Sequence, residues 1–197
     1  MGINRNEDWG ALGMVPEDAQ TAASNADLLN LLGDLNSASV IVLTGGDLCR
    51  TLGGRGRACP GGEATLVDID VGEALVDGRL HRFVSHFVVR PSRHPGRWWV
   101  AANAAHRGRS NVAPRAHPGD GLLDVLDASL SLGQALAAWR RLGLGLHVPH
   151  PDIREERTAA TQVSFDGSAR AWLDGRPIGG VDRLSLRVQP GALRVAI

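Results

Sequence analysis

The sequence has 197 residues, of which 43% are hydrophobic and 21% charged, a composition typical of a soluble globular protein with one domain or slightly more. Its 21 basic residues, all of them arginine, balance 21 acidic residues, and this balance disfavours binding to nucleic acid through bulk charge. The polar start and the lack of an apolar run of the ~18 residues that a membrane span needs predict a cytoplasmic protein without a secretory signal.

The N-terminal part of the chain predicts a short α/β segment. Ser24 or Asn25 can cap a helix whose leucines form one broad apolar face. The apolar run Val40–Leu43 predicts a buried strand that leads through a Thr-Gly-Gly-Asp turn at 44–47 into a second short helix. A strand that runs through a glycine turn into a helix presents backbone N–H groups to an anion. The glycine-rich residues 53–62 predict a linker.

In the remainder of the chain, short apolar segments separated by turn residues predict an antiparallel β domain. Strands are predicted at 64–69, 80–89, 98–102, 122–126, 161–165 and 169–173, with turns at Asp77-Gly78 and Asp166-Gly167. Apolar residues alternate in 184–188 and again in 193–197, and Pro190-Gly191 between them predicts a hairpin with all its apolar residues on one core.

One helix is predicted among these strands, at about 131–142. Ser131 and Gln134 form a capping box at its start, and Gly143 follows its end. The apolar stripe of this helix consists of Leu132, Ala135, Leu136 and Trp139. The elements together predict an α+β, mostly β fold: an antiparallel β-sandwich at 61–197 with a short N-terminal α/β appendage at 1–60.

Two segments of the sequence point to a particular protein family, which the overall composition does not. The first is the run 44–53, which begins with Thr-Gly-Gly-Asp; the second comprises Asn103, Gly108 and the run 113–125, which contains Ala-Pro-Arg-Ala and Gly-Asp-Gly-Leu-Leu-Asp-Val. In this order they resemble motifs of the diacylglycerol kinase family, in its branch of YegS-like bacterial lipid kinases. The resemblance covers roughly residues 40 to 197. It implies the end of a nucleotide-binding domain followed by a β-sandwich, with phosphoryl transfer from ATP and Mg²⁺ to a lipid hydroxyl between the two.

The sequence departs from this family's pattern at the positions that catalysis needs. Nothing before Thr44 matches the family's Gly-Gly-Asp-Gly-Thr phosphate loop, and 43 residues are too few for its nucleotide domain. Gly46 replaces an asparagine, and Gly119 replaces the first aspartate of an Asp-Asp-Gly metal motif. Arg176 stands where the family's catalytic glutamate is expected, and arginine cannot accept a proton because its pKa exceeds ~12. These departures predict a lipid-kinase-like protein without kinase chemistry.

The distribution of charge along the chain is a second feature, and its interpretation does not depend on the family resemblance. No acidic residue lies between Asp77 and Asp120, and eight arginines fall in that interval. Arginine binds phosphate bidentately, so the segment predicts a site for an anionic small molecule or lipid head group. The alternative is that these arginines pair with acidic residues of other strands.

The candidate ligand site combines the motifs with this arginine-rich interval. Its residues are Thr44, Gly45, Gly46, Asp47, Asn103, Arg107, Arg109, Arg115, Asp120, Asp174 and Arg176. We expect Arg107, Arg109 and Arg115 to line the mouth of a pocket that Asp120 and Thr44 also border. Asp120 is the one candidate metal ligand, with a plain turn aspartate as its alternative.

Three functions remain open. The first is a non-catalytic, lipid-kinase-like protein that binds a phosphate-bearing or lipid-like ligand. The second is a working lipid kinase that uses ATP and Mg²⁺, and the third is a scaffold or assembly subunit. A homo-oligomer is compatible with each of them, and no other cofactor is predicted.

Overall fold

A computed structural model describes residues 9–32, 39–91, 96–165 and 169–197, in which two β-sheets pack face to face. The strands are β1 (Ala11–Met14), β2 (Gln20–Ala22), β3 (Val40–Leu43), β4 (Glu63–Val76), β5 (Arg79–Phe83), β6 (His86–Pro91), β7 (Arg97–Ala102), β8 (His106–Arg107), β9 (Ser110–Asn111), β10 (Leu123–Ser129), β11 (Ile153–Thr158), β12 (Ala160–Ser164), β13 (Ala169–Leu173), β14 (Arg176–Gly180) and β15 (Arg183–Ala196). The helices are α1 (Asn25–Leu31), α2 (Gly46–Thr51) and α3 (Leu132–Arg141), and a 3-10 turn, Leu142–Leu144, follows α3.

Two strands of fourteen residues, β4 and β15, form a long antiparallel ribbon at the centre of sheet 1. The edge of β4 pairs with β1 and β5, and the edge of β15 pairs with β12 and, in parallel, with β3. Strand β2 adds to β3, also in parallel. The N-terminal α/β segment is therefore joined by strand pairing to the sheet that contains the C-terminal strand. The boundary at residue 60 stays a prediction.

The predicted C-terminal hairpin is wrong, because 184–188 and 193–197 do not pair with each other and β15 runs through both. Pro190 and Gly191 lie at a bulge in β15, where the register with β4 shifts. The bulge is held by Asp70, whose buried carboxylate accepts the N–H of Gly191 at 2.9 Å. A bulge accommodates extra residues without reversing the chain, so Pro-Gly is compatible with a continuous strand here.

Two apolar cores lie along the ribbon, so the alternating residues of β15 do not share one core as predicted. The core between the two sheets includes Val76, Phe83, Phe87, Trp99, Leu123, Phe165, Leu184, Leu186 and Val188. The core beneath α1 and α2 includes Leu28, Ile41, Leu43, Leu48, Val67, Ile69, Leu193 and Val195. Each half of β15 thus contributes to a different core, because the ribbon is long enough to reach both.

Sheet 2 has the order β11-β10-β7-β6-β13-β14, and every neighbouring pair is antiparallel. Its inner strands are apolar on both faces. In β6, Phe87 and Val89 pack toward sheet 1, whereas Val88 belongs to a separate cluster on the outer face. Val100 of β7 and Leu126 of β10 belong to the same outer cluster. The outer face therefore needs a cover of its own.

Most other predicted elements are confirmed to within a few residues, including the mostly antiparallel sandwich itself. The N-cap of α1 is Ser24, and the capping box at Ser131 and Gln134 is present. The predicted strand 80–89 is divided into β5 and β6, since the chain bends at Val84-Ser85. The predicted turn at Asp166-Gly167 lies outside the described residues. No helix in the described ranges is long and apolar enough to cross a membrane.

Candidate functional site

A cavity of about 440 Å³ lies between the outer face of sheet 2 and α3. Its sheet side is formed by Val88, Trp98, Val100, Leu126, Ala128 and Ile153, and its helix side by Ala135, Ala138, Trp139 and Leu142. All of these side chains are apolar apart from the indole N–H groups. The volume falls within the ~300–1,000 Å³ that is usual for small-molecule sites.

The cavity follows from the residues that α3 turns toward the sheet. Positions 135 and 138 of the helix are alanines, which are too short to reach the apolar surface below them. The larger Leu132 and Leu136 of the predicted apolar stripe are instead 73% and 49% exposed, and Trp139 is 69% exposed. The predicted stripe therefore exists, but it does not fill the space under the helix.

Three polar residues, Arg107, Ser110 and His147, also belong to the lining of the cavity. The Nε2 of His147 donates to the carbonyl of Val112 at 2.9 Å, and this assignment leaves Nδ1 as an acceptor without a partner among the described residues. Burial lowers the pKa of His147, so its imidazole is neutral at pH 7. Arg107 is the charged member of the lining, and it is exposed.

The residues on either side of Arg107 are held by α2. The backbone N–H of His106 donates to Oγ1 of Thr51 at 3.1 Å, and that of Gly108 donates to Oδ1 of Asp47 at 2.6 Å. Asp47 belongs to the Thr-Gly-Gly-Asp turn and Gly108 to the second motif. The structure thus brings the two motifs together, and their contact positions the arginine at the cavity.

Two backbone amides at the N-terminus of α2 are occupied from within the chain, and anion binding at this turn stays a prediction. Oδ1 of Asn25 accepts the N–H groups of Asp47 and Leu48 at 3.1 and 3.4 Å. Gly46 has a φ of +92°, and a Cβ there would lie 2.7 Å from the same Asn25 oxygen. The glycine turn is therefore explained by its close packing against the start of α1.

Asp174 lies partly buried against the bend between β5 and β6. Its carboxylate accepts the backbone N–H groups of Val84, Ser85 and His86, each at 2.8 Å. Burial nevertheless raises the pKa of Asp174 to about 6, and the negative charge of Asp47 acts in the same direction. The residue therefore shapes the bend that starts β6, and its oxygens are occupied by the chain.

Arg176 begins β14, two residues after Asp174, and reaches across to α1. Its guanidinium donates to the side-chain oxygen of Asn30 at 3.1 Å and to the carbonyl of Ala26 at 3.4 Å. The residue at the position of the family's glutamate thus bonds the second sheet to the N-terminal helix.

Asp120 is neutralised from within the chain. The guanidinium of Arg157 binds Asp120, and its Nε lies 3.5 Å from Oδ2 of Asp124. Burial raises the pKa of Asp124, while Arg157 opposes that shift. No cluster of three or more metal-binding side chains occurs within the described ranges. A cation at Asp120 would have to displace Arg157, and the metal assignment remains a prediction.

The other predicted site residues lie apart from the cavity. Thr44 donates to the carbonyl of Ala22, and the amide of Asn103 donates to the carbonyls of Asp70 and Val84 in the interior. Gly45 packs against Ala23, where a Cβ would lie 2.5 Å from a carbonyl oxygen. Arg109 and Arg115 are exposed and do not line the cavity. Of the eleven candidates, Arg107 alone lines it.

The arginine-rich interval is partly explained by pairing. Arg82 lies 3.8 Å from Glu73, Arg97 lies 3.9 Å from Asp127, and Arg90 stacks on the ring of Trp98. Arg82 and Arg97 thus pair with acidic residues, as the alternative interpretation expects, whereas Arg107 lines the cavity.

Sequence reasoning missed Asp70, Arg157, the apolar lining and the contact of Asn25 with the start of α2. Asp70 carried a signal, because a carboxylate between Ile69 and Val71 in a buried strand needs partners. The apolar lining was also detectable in the sequence. The runs of apolar residues in β6 and β7 lack the alternation of apolar and polar residues that is typical of a sheet with one solvent-exposed face. The partner of Arg157 is 37 residues away, and no local pattern indicates it.

The sandwich of two mostly antiparallel sheets, with the Thr-Gly-Gly-Asp turn packed against the second motif, defines a protein of the lipid-kinase-like β-sandwich class. Residues 74–197 match the family described as YegS C-terminal NAD kinase beta sandwich-like domain, and the chain belongs to this family.

Solved structures support the same fold. A diacylglycerol kinase from Bacillus anthracis str. Sterne is 14% identical, with a TM-score of 0.65 over 87% of this chain and 71% of that one. A second structure from this organism, of a protein assigned as a diacylglycerol kinase, is 12% identical, with a TM-score of 0.64 over 91% of this chain and 78% of that one. At these identities the likeness shows the fold alone. No curated protein matches the chain in sequence.

Proposed function

We propose that the protein is a non-catalytic member of its family that binds an anionic amphiphile, with the alkyl part in the cavity under α3 and the phosphate at Arg107. The observation that carries the proposal is the juxtaposition of an apolar cavity and one arginine in its lining whose neighbours in the chain are held by α2. An apolar cavity alone would suit a neutral lipid, and an exposed arginine alone would suit any anion. Together they favour a ligand with both parts.

The size of the expected affinity follows from these contacts. Each buried methylene contributes ~0.8 kcal/mol, and a hydrogen bond to a charged group contributes ~1.5–3 kcal/mol. A short alkyl chain and one phosphate contact therefore correspond to dissociation constants of roughly micromolar order. Because Arg107 is exposed, its share should weaken with salt.

Two contacts support the absence of catalysis. Arg176 cannot serve as a proton acceptor, and its guanidinium is bonded to α1. Asp120, the candidate for holding Mg²⁺, is bound to Arg157. The kinase alternative, with ATP and Mg²⁺, needs a base and a metal site at these places. No contact among the described residues favours the scaffold alternative specifically.

The test is calorimetric titration of the full chain with dihexanoyl phosphatidic acid, a soluble monomer, and with neutral dihexanoylglycerol. We expect Arg107→Ala to weaken binding of the acidic lipid about tenfold and to leave the neutral one unchanged. The matched control is Arg109→Ala, two residues away and outside the lining, which should have no effect. Ala128→Phe, which fills the cavity floor, should weaken both lipids.

Three results would contradict the proposal. They are equal affinities in the two arginine variants, binding of inorganic phosphate as strong as that of the lipid, and no binding of either lipid to the wild type. Circular dichroism of Ala128→Phe shows whether its effect on binding comes from the cavity or from loss of fold.

A further inference from the structure

The surface of α3 and the turn that follows it is apolar and uncovered within the described part of the chain. Ten large apolar side chains are exposed over all the described residues, and five of them fall within the fifteen residues 132–146. These five are Leu132, Leu136, Trp139, Leu144 and Leu146. Leu132, Leu136 and Trp139 are spaced four and three residues apart, so they share one face of α3. Such a concentration marks an interaction surface rather than scattered exposure.

From this patch we infer that the face of α3 and its following turn docks on an anionic lipid bilayer. The charge of the segment argues for that occupant. Residues 128–151 contain no acidic side chain, and Arg140 and Arg141 lie in the last turn of the helix, both exposed. An amphipathic helix with leucine and tryptophan on one face and arginine beside it is suited to lie in a membrane interface. Asp152 lies near the other end of α3, where it accepts a hydrogen bond from Gln134.

A second copy of the chain is a poorer occupant of this face. In a two-fold symmetric contact the same patch meets itself, and residues 128–151 offer no carboxylate to Arg140 and Arg141 of either copy. The nearest acidic residue beside the patch, Asp152, already accepts a hydrogen bond from Gln134. An anionic bilayer instead supplies the opposite charge. Tryptophan also places its apolar ring and polar N–H well at a lipid–water boundary.

The docking face is continuous with the cavity. Trp139 and Leu142 line the cavity, and Trp139 is also part of the exposed patch. A helix that lies on the bilayer through this face would set the edge of the cavity against the acyl region. The docking goes beyond the proposed ligand binding and does not depend on it, since Leu132, Leu136 and Leu144 do not line the cavity.

The experiment is flotation of the full chain with vesicles of phosphatidylcholine alone and of phosphatidylcholine with phosphatidylglycerol. We expect binding to the mixed vesicles that falls with salt. Leu136→Glu with Leu144→Glu should lower the partition coefficient more than tenfold. The matched control is Leu12→Glu with Leu80→Glu, two exposed leucines of sheet 1 with the same change of charge, and it should bind as the wild type does.

The arginines are tested separately. Each basic residue near an anionic surface contributes roughly fivefold in partition, so Arg140→Ala with Arg141→Ala should lose at least tenfold on mixed vesicles. Arg55→Ala with Arg57→Ala, two other exposed arginines, is the control. Titration of the leucine variant with dihexanoyl phosphatidic acid should match the wild type. Loss of vesicle binding with retained titration thus separates docking from ligand binding.

Several outcomes would overturn the inference. They are no flotation of the wild type with mixed vesicles, an equal loss in the Leu12/Leu80 control, and equal binding to the two kinds of vesicle. Light scattering that shows a dimer, with monomers after Leu136→Glu and Leu144→Glu, would assign the face to a second copy instead.

Discussion

The guanidinium of Arg176 lies 3.1 Å from the side-chain oxygen of Asn30, and this contact joins the start of β14 to α1. The two residues are 146 positions apart in the chain. Asp174, two residues before Arg176, holds the bend that starts β6. Asp174 and Arg176, the two residues here that correspond to functional positions of the family, therefore both have structural partners.

The first prediction concerns catalysis. The purified full chain should show no ATP-dependent phosphorylation of diacylglycerol in a labelled-phosphate transfer assay with Mg²⁺, because Arg176 offers no proton acceptor. A working lipid kinase in the same vesicles is the positive control. Turnover that Asp120→Ala abolishes would contradict the prediction.

The second prediction concerns Arg176 as a tie between the parts of the fold. Arg176→Ala removes two partly exposed hydrogen bonds, which together should lower the free energy of unfolding by roughly 1–2 kcal/mol. For a chain of this size that corresponds to a drop in Tm of about 2–6 °C. Arg170→Ala, at an exposed arginine of the neighbouring β13, should change Tm by less than about 1 °C. Equal decreases of Tm in the two variants, measured by differential scanning calorimetry, would show that the contact of Arg176 with α1 does not stabilise the fold.

The third prediction concerns the pH dependence that Asp174 imposes. Its pKa is about 6 in the folded protein, above the value of 3.8 for a free aspartate. The folded state therefore binds more protons between these values, and the contribution of Asp174 to stability falls as pH rises from about 4 to 6. The full change is about 3 kcal/mol. His86, whose pKa burial lowers to about 3, acts in the opposite direction.

The difference between the wild type and Asp174→Asn isolates the carboxyl group. Urea unfolding at several pH values should show the variant at its least stable relative to the wild type at pH 4, because only the wild type has a carboxyl group that loses stabilisation when its proton leaves. The deficit should shrink by pH 7. Ser85→Ala, which keeps the backbone donors, is the control for local disturbance. A deficit that stays constant with pH would mean that the pKa of Asp174 is not raised.

How much of this the sequence could predict depends on the range of each interaction. Ser24, Ser131 and the run Val40–Leu43 act within a few residues, and their elements are present as predicted. Pro190-Gly191 gave a wrong prediction because its local pattern fits a hairpin, whereas pairing along the whole of β4 keeps the strand continuous. The cavity was missed for a similar reason. It depends on which residues of α3 face a sheet that lies far away in sequence.

The fourth prediction compares two glycines with different surroundings. A Cβ at Gly72 would lie 2.2 Å from the ring of Phe83 in the core, so Gly72→Ala should destabilise the protein by about 2–4 kcal/mol. A Cβ at Gly133 in α3 meets nothing within 4 Å, and Gly133→Ala should stabilise it by up to about 1 kcal/mol. Chemical denaturation measures both changes. A stabilised Gly72→Ala would show that β4 and Phe83 lie further apart than described.

The last prediction concerns the carboxylates that Arg157 holds. The guanidinium binds Asp120 and lies 3.5 Å from Asp124, so the wild type offers Mg²⁺ no free pair of carboxylates there. Millimolar Mg²⁺ should leave its Tm unchanged. Arg157→Ala leaves two acidic groups close together without their counter-charge, and it should lower the unfolding free energy by roughly 1–3 kcal/mol. Because a ligand that binds only the folded state stabilises it, Mg²⁺ or Ca²⁺ should raise the Tm of this variant. The control is Arg154→Ala, at an exposed arginine of the same strand that pairs with Glu156, and it should respond to neither ion. A rise in the wild-type Tm with Mg²⁺, abolished by Asp120→Asn, would establish a metal at Asp120 despite Arg157.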